Sequence, residues 1–342
     1  MPQISNRAVM NWLYTFAAIV AFLVVFGGFV RLTRSGLSIV EWNPISGSMP
    51  PIGQQAWEVE FAKYQQTPEF IKVNSTMTLD EYKYIFYMEW IHRNIARLAG
   101  LVYAIPVFYF LFTKKIPLKE FGIYFLMGML FISQAVAGWL MVASGLVDRP
   151  AVSHFNLTIH LLLALTLLGL ALWTAFGHQF GFPAKPAPWS TSSKLTLGFF
   201  AVLLVQITYG GFTAGLKAGH VSDTWPLMFG MWVPPNLFNS LLNFFEAPVT
   251  IVFIHRWFAF AVLAMVVYVY VAVRRHNQPD LLRGFSGLVA VVALQIVLGI
   301  LTVLSYVNIV IALLHQATAI ALFAITVYLL NRFRALDAKS TA

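Results

Sequence analysis

The chain has 342 residues, of which 59% are hydrophobic, 15% aromatic and only 10% charged, with a formal net charge of +9 and a mean hydropathy of +0.75. A soluble domain carries about 25% charged residues, so there is too little polar surface here for a water-soluble fold; a disordered chain, a coiled coil and a disulfide scaffold are excluded as well. Cysteine is absent, which removes disulfides, Cys-ligated zinc, iron–sulfur clusters and cysteine nucleophiles and leaves eight histidines as the soft ligands for any metal.

A helix needs about 20 apolar residues to cross the hydrocarbon core of a bilayer. Eight stretches qualify, near residues 9–30, 85–112, 121–143, 154–176, 195–215, 247–273, 284–305 and 307–330. The expected fold is an all-α polytopic membrane protein with eight transmembrane helices. The first stretch is too long for a signal peptide and no small-residue cleavage site follows it; residues 1–7 make no transit peptide. If the N-terminus is cytoplasmic, the inner segments hold twelve bases (Arg7, Lys114, Lys115, Lys119, Lys185, Lys194, Arg274, Arg275, Arg283, Arg332, Arg334 and Lys339) against three acids (Glu120, Asp280 and Asp337). The whole +9 then lies inside, which by the positive-inside rule places both termini in the cytoplasm and suits anionic lipid on that face. Nucleic-acid binding fits poorly, because the bases are spread over five short segments.

The two halves repeat. Gly27-Gly28-Phe29 matches Gly210-Gly211-Phe212, and the register continues without gaps through Gly36 and Gly219, Trp42 and Trp225, Gly47 and Gly230, and Pro51 and Pro234. Ile91-His92-Arg93 recurs as Ile254-His255-Arg256, and Gln134 and Gly138 recur as Gln295 and Gly299. Four helices per half is an even number, so the repeats run parallel. The sequence therefore predicts two parallel-repeat four-helix bundles, residues 1–180 and 190–342, related by an axis along the membrane normal.

The outer segments differ. Residues 31–84 are long, acidic and aromatic, with Trp42 and Trp57; residues 219–246 are shorter and carry Trp225, Trp232, Pro234 and Pro235. These residues are either interfacial anchors and turns or parts of a lid over an outer site. The tail 334–342 reads as a solvated end, and 183–193 as a loop without visible chemistry.

An ionisable side chain inside a transmembrane helix is a functional candidate by default. His92, His160, His255 and His315 fall on the second, fourth, sixth and eighth stretches, all entering from the outer face. Each lies about seven to nine residues in, roughly 12 Å deep at 1.5 Å per residue. Any one alone reads equally as a helix–helix hydrogen-bond partner. Four at one depth, two per bundle, match axial haem ligands, since neutral imidazole binds iron and a bundle interior encloses a porphyrin. His154 competes for the fourth place, because a gap-free extension of the repeat pairs it with His315. It lies at the helix mouth, however, whereas His160 lies at ligand depth. On this reading His160 is the ligand and His154 is interfacial. His178, His220 and His276 read as ordinary surface histidines in loops.

Arg93 and Arg256 directly follow their histidines. Arginine binds carboxylates bidentately, so each is a candidate for a haem propionate, with lipid phosphate as the alternative; Arg97 is a weaker candidate. Glu89 stands three residues before His92, on the same helix face, while the second half has Val252 at that place. Beside a haem, a carboxylate either accepts and relays protons or holds an imidazole's tautomer. Glu246, before His255, either lines the second site or caps its helix. Glu-x-x-His also occurs in di-iron bundles, but those need two copies and two further glutamates, and only one copy is present.

Residues 87–93 (YMEWIHR) followed by 96–100 (ARLAG) resemble the signature of the haem A synthase family. So do 27–38 (GGFVRLTRSGLS), 49–51 (MPP), 144–147 (SGLV), 157–161 (LTIHL), 253–256 (FIHR) and 314–317 (LHQA). The resemblance spans nearly the whole chain, in order. It implies an oxidoreductase that oxidises the C8 methyl of haem O to a formyl group, making haem A for terminal oxidases. It also implies that His255 and His315 ligate a haem b cofactor, that His92 and His160 hold the haem O substrate, and that Glu89 is essential beside it. A bacterial plasma (inner) membrane location follows from it, with a haem O synthase and a terminal oxidase as pathway partners. The electron donor or acceptor stays unidentified, and a homo-oligomer is left open. Some bacterial members carry a cysteine pair in the first outer segment; this chain resembles the cysteine-free branch of alphaproteobacteria and mitochondria.

Two other classes compete. One is a bis-histidine dihaem membrane cytochrome that only moves electrons; an acid in one half alone argues against it. The other is a transporter built on parallel repeats, which usually shows broken helices at the midplane, whereas the polar residues here cluster at the outer ends.

Overall fold

The computed structural model describes residues 6–147, 150–182, 187–274 and 279–340. Helix α1 (Arg7–Leu32) begins at Asn6, whose Oδ1 accepts from the amides of Ala8 at 3.0 Å and Val9 at 3.3 Å. That satisfies two of the amides a helix start leaves orphaned. The outer segment after it folds into two short helices, α2 (Gln54–Gln65) and α3 (Pro68–Lys72). Helix α4 (Leu79–Phe112) opens with a capping box between Thr78 and Glu81, so it starts ahead of the apolar stretch that hydropathy marks. There follow α5 (Phe121–Ala143), α6 (His154–Phe180), α7 (Thr191–Gly215), a single turn α8 (Asn243–Glu246), α9 (Pro248–Val273), α10 (Pro279–Leu304) and α11 (Ile309–Ser340). Eight of these are long and apolar enough to cross a membrane, and the chain is a multi-pass helical membrane protein.

Lipid is the solvent on the outside. Leu98, Leu101, Ile105, Phe108 and Phe112 recur every three or four residues on the exposed side of α4, an apolar stripe that a helix in water would turn inward. Inside, α1 packs on α4 and α6, and α6 on α5; in the second half α7 packs on α9 and α11, and α10 on both α9 and α11. Phe16, Tyr103, Tyr124 and Leu168 fill the first core, joined by Phe323 and Val327 of α11. Phe199, Val266, Phe285 and Leu329 fill the second. Between the halves α6 faces α11, flanked by α1 on α11 and α7 on α6. At the C-terminal ends of α1 and α7, Arg31 donates to the Ala214 carbonyl, placing a cation where the helix dipole is negative.

Three local expectations are corrected. The eighth membrane helix starts at Ile309, not 307, because Tyr306 and Val307 adopt φ of 54° and 62° in a turn. Its end is no solvated tail: α11 runs to Ser340, and Arg334 donates to the carbonyls of Ala187 (2.7 Å) and Pro188 (3.2 Å) and to Asp337 (2.7 Å). His178 is no surface loop residue; it lies within α6, buried against Tyr124 at 2.9 Å. His220 is exposed in a short 3-10 turn as expected, and His276 lies outside the described residues.

Candidate functional site

Each of the four membrane histidines rests on a glycine of the neighbouring helix. His92 on α4 lies against Gly27 of α1, His160 on α6 against Gly138 of α5, His255 on α9 against Gly210 of α7, and His315 on α11 against Gly299 of α10. A Cβ at these glycines would come within 3.0 to 3.2 Å of the imidazole ring, so no larger residue fits without moving it. The residue four before each glycine lies one helical turn away and hydrogen-bonds that histidine, through the ring at His92, His255 and His315 and through the backbone alone at His160. The Gln295 carbonyl is 3.1 Å from His315 Nδ1. His255 hydrogen-bonds the Gln206 backbone, with Gln206 Nε2 also 2.9 Å from the His255 carbonyl. His92 hydrogen-bonds the Leu23 backbone. Gln134 donates from Nε2 to the His160 carbonyl at 3.1 Å, while His160 Nδ1 is buried without a partner.

At His315 an Nδ1–H bonded to the Gln295 carbonyl fixes the imidazole tautomer and makes Nε2 the acceptor, 3.4 Å from Gln295 Nε2. The rings of His255 and His315 have centres 6.3 Å apart and planes 88° apart. An imidazole nitrogen sits about 2 Å from a bound transition metal, so two rings on opposite sides of one iron have centres about 6 Å apart. The spacing of the second pair is one at which both rings could hold a single metal ion between them. His92 and His160 are close enough for their charges to interact, and Phe26 stacks near His92 at 6.0 Å. Buried polar atoms without partners also collect here: His160 Nδ1, Gln206 Oε1, Gln295 Oε1 and Arg256 Nε. No group of three or more His, Asp or Glu among the described residues suits a bare metal ion, which weighs against a di-iron site.

Glu89 is buried at 3% exposure. Its Oε2 accepts from Ser38 N (2.8 Å), Ser38 Oγ (2.7 Å) and Ile39 N (3.0 Å), and its Oε1 from Arg93 Nη2 (2.5 Å) and Nε (3.0 Å). A carboxylate offers about four lone-pair sites, so these five donors use all of them. Arg93 also donates to the Ile39 carbonyl (3.3 Å), and Arg256 to those of Ser222 (2.6 Å) and Thr224 (3.0 Å). Both arginines thus clamp the outer segment that leaves their half's first helix. Arg97 does likewise on the carbonyls of Asn43 and Pro44. His154 is buried at the start of α6, with Nε2 2.8 Å from the Phe245 carbonyl. Glu246 is exposed and does not cap α9, whose N-cap Ala247 has no side-chain bond. Sequence reasoning found the glycines as repeat markers but not as histidine seats; it had Ser38 only as the last residue of the 27–38 motif, and it passed over Glu69, which carries no periodic or motif signal.

Eight membrane helices bearing two pairs of inward imidazoles define a class: polytopic helical membrane proteins with paired-histidine sites near one membrane face. The chain belongs to the cytochrome oxidase assembly protein family (COX15-CtaA), whose family model matches residues 10–327. It is 42% identical over 326 residues to a protein of Maricaulis maris named heme A synthase, covering 93% of this chain and 94% of that one. Proteins of the same name from Wolbachia pipientis wMel and Flavobacterium psychrophilum are 39% and 37% identical, over 96% of this chain and 93% and 99% of theirs.

Proposed function

We propose that the protein is a haem A synthase, an oxidoreductase that oxidises the C8 methyl of haem O to a formyl group and so supplies haem A to terminal oxidases. The observation that carries this reading is the set of four glycine-seated imidazoles, one pair spaced for a single iron, in a chain of this family. Residues 1–180 form the half that receives haem O, on His92 and His160. Residues 190–342 form the half that keeps a haem b, on His255 and His315. When bound, haem b supplies reversible one-electron transfer, which no side chain of this chain supplies.

The chain's own residues do the rest. The backbone hydrogen bonds orient the rings of His92, His255 and His315. Arg256 holds the turn of Ser222 and Thr224 through its two Nη atoms and keeps the Nε–H as a single charged donor for a propionate. Arg93 serves the first half in the same place while tied to Glu89. Glu89, hydrogen-bonded to Ser38, Ile39 and Arg93 beside His92, is the carboxylate that accepts protons there. Both termini face the cytoplasm of a bacterial inner membrane, and both sites open toward the outer face, where haem O from its synthase and haem A for the oxidase are exchanged.

The test is extraction and chromatography of the haems from protein purified out of membranes that also make haem O. Haem B together with haem O or haem A is expected, and haem B alone at two per chain would make the protein an electron-transfer cytochrome instead. In the same assay Glu89→Gln should keep bound haem but lose product; full haem A formation by that variant would refute that role.

A further inference from the structure

In the first half α4 and α5 meet over a short stretch only, around Gly100 against Phe131 and Tyr103 against Gly128. His92 stands eight residues before Gly100, roughly 12 Å nearer the outer end at 1.5 Å per residue. At that level a piece of the outer segment crosses from one helix to the other. Arg93 of α4 donates to the Ile39 carbonyl, and Arg97 to those of Asn43 at 2.9 Å and Pro44 at 2.8 Å. Beside them Trp42 stacks on Trp139 of α5, centres 5.5 Å apart. Trp139 directly follows Gly138, the glycine against which His160 lies. Residues 39–47 are thus a strap over the outer part of the α4–α5 seam, at the depth of both histidines.

The strap is lightly held and suited to lipid. Residues 41–46 are all exposed. Residues 42–53 carry no charge, and Ile45, Met49 and Ile52 among them are exposed by 87%, 67% and 75%. Irregular backbone at membrane depth needs protein donors for its carbonyls, which Arg93 and Arg97 supply. A segment with few buried contacts opens at low free-energy cost. The second half is built otherwise. There α9 packs directly on α10, the counterparts of α4 and α5. Phe260 stands where the first half has Arg97, five residues after its histidine. Trp225, the counterpart of Trp42, lies on Trp257 and Phe260 with centres 5.6 and 6.1 Å away. Both these ring partners belong to α9, so this tryptophan is fastened to one helix instead of stacking across to the next.

We propose that the α4–α5 seam is a lateral door through which the first half exchanges haem O and haem A with the outer leaflet, and that residues 39–47 are its latch. This rests on the reading of the first half as the haem O half, and it gives that exchange a route. Haem O carries an isoprenoid tail and resides in lipid, so a sideways opening spares its apolar surface a passage through water. The directly packed α9–α10 seam keeps the second half shut against lipid, as a group that stays requires. The difference between the two seams accounts for one half that turns its haem over and one that retains it.

The experiment uses the full-length chain, purified with its resident haem from membranes that make no haem O and reconstituted in phospholipid vesicles. Because the chain has no cysteine, Trp42→Cys combined with Trp139→Cys puts one thiol on each side of the latch, and a reducible bifunctional thiosulfonate joins them. Uptake of haem O from added donor vesicles is followed in the Soret band. Linking should slow uptake by at least roughly tenfold, and cleaving the link should restore it, with the spectrum of the resident haem unchanged throughout. Trp42→Ala alone should take up and release haem O several-fold faster than the native chain. Uptake by linked protein at the unlinked rate, or a native exchange rate in Trp42→Ala, overturns the proposal. The failure of the functional reading looks different: the native chain would take up no haem O at all.

Discussion

At the scale of single residues, the chemistry depends on where side chains are withheld. Glycine contributes at four positions by leaving room for an imidazole to lie against the neighbouring backbone, and at His315 this lets Nδ1 reach a carbonyl one turn away. Extra methyl groups in such a tight place cost about 1–3 kcal/mol and displace what they touch. Gly210→Val should therefore turn His255 away from His315. The expected result is a protein that folds and inserts but loses about one haem per chain, with the first-half haem spectrum intact; a variant with both haems would show that the seat is dispensable. The two carboxylates of the first half illustrate the same scale. Glu89 and Glu69 are both buried, but five donors surround one and an unsatisfied oxygen marks the other.

At the scale of elements, α6 and α11 do more than hold one histidine each. They face one another across the junction, so apolar residues of α11 complete the core of the first half. The end of α11 is fastened on the inner side. Asp337 is buried there and accepts from Ser193 Oγ at 2.6 Å and Arg334 Nη1 at 2.7 Å, pinning it to the start of α7. Removing a buried acceptor strands its donors and costs about 1–3 kcal/mol. Asp337→Ala should lower the thermal midpoint of the detergent-solubilised protein by several degrees while leaving haem content at permissive temperature unchanged. An unaltered midpoint would mean the clasp contributes nothing to stability. The segment after α1 is held in the same way: Trp57 and Tyr64 of α2 pack on Tyr82, Ile85 and Phe86 of α4.

At the scale of the whole molecule, charge decides orientation. The excess of lysine and arginine on one side should keep that side in the cytoplasm, so the histidine pairs lie near the opposite, outer face. The natural absence of cysteine makes this direct to measure. Ser240→Cys, exposed in the second outer segment, should react with a membrane-impermeant thiol reagent in intact cells, whereas Lys119→Cys, exposed in the turn before α5, should react only after lysis. The reverse pattern would invert the molecule and move both sites to the cytoplasmic side.

The eight long apolar helices were legible along the chain, because hydropathy is a property of linear order. The helix ends were less so: the length of α11 depends on Asp337 finding Ser193, and the burial of His178 on Tyr124 of another helix. The glycine seats could be noticed as repeats but not understood, since each touches a histidine on a different helix. Which carboxylate is saturated and which keeps a free oxygen was beyond the sequence altogether. Glu89 meets Ser38 and Ile39 from about fifty residues away, and Glu69 lies in a short polar helix without periodic signal. Hydrogen-bond saturation and desolvation are set by what the folded chain brings alongside, so tertiary structure alone decided which is which.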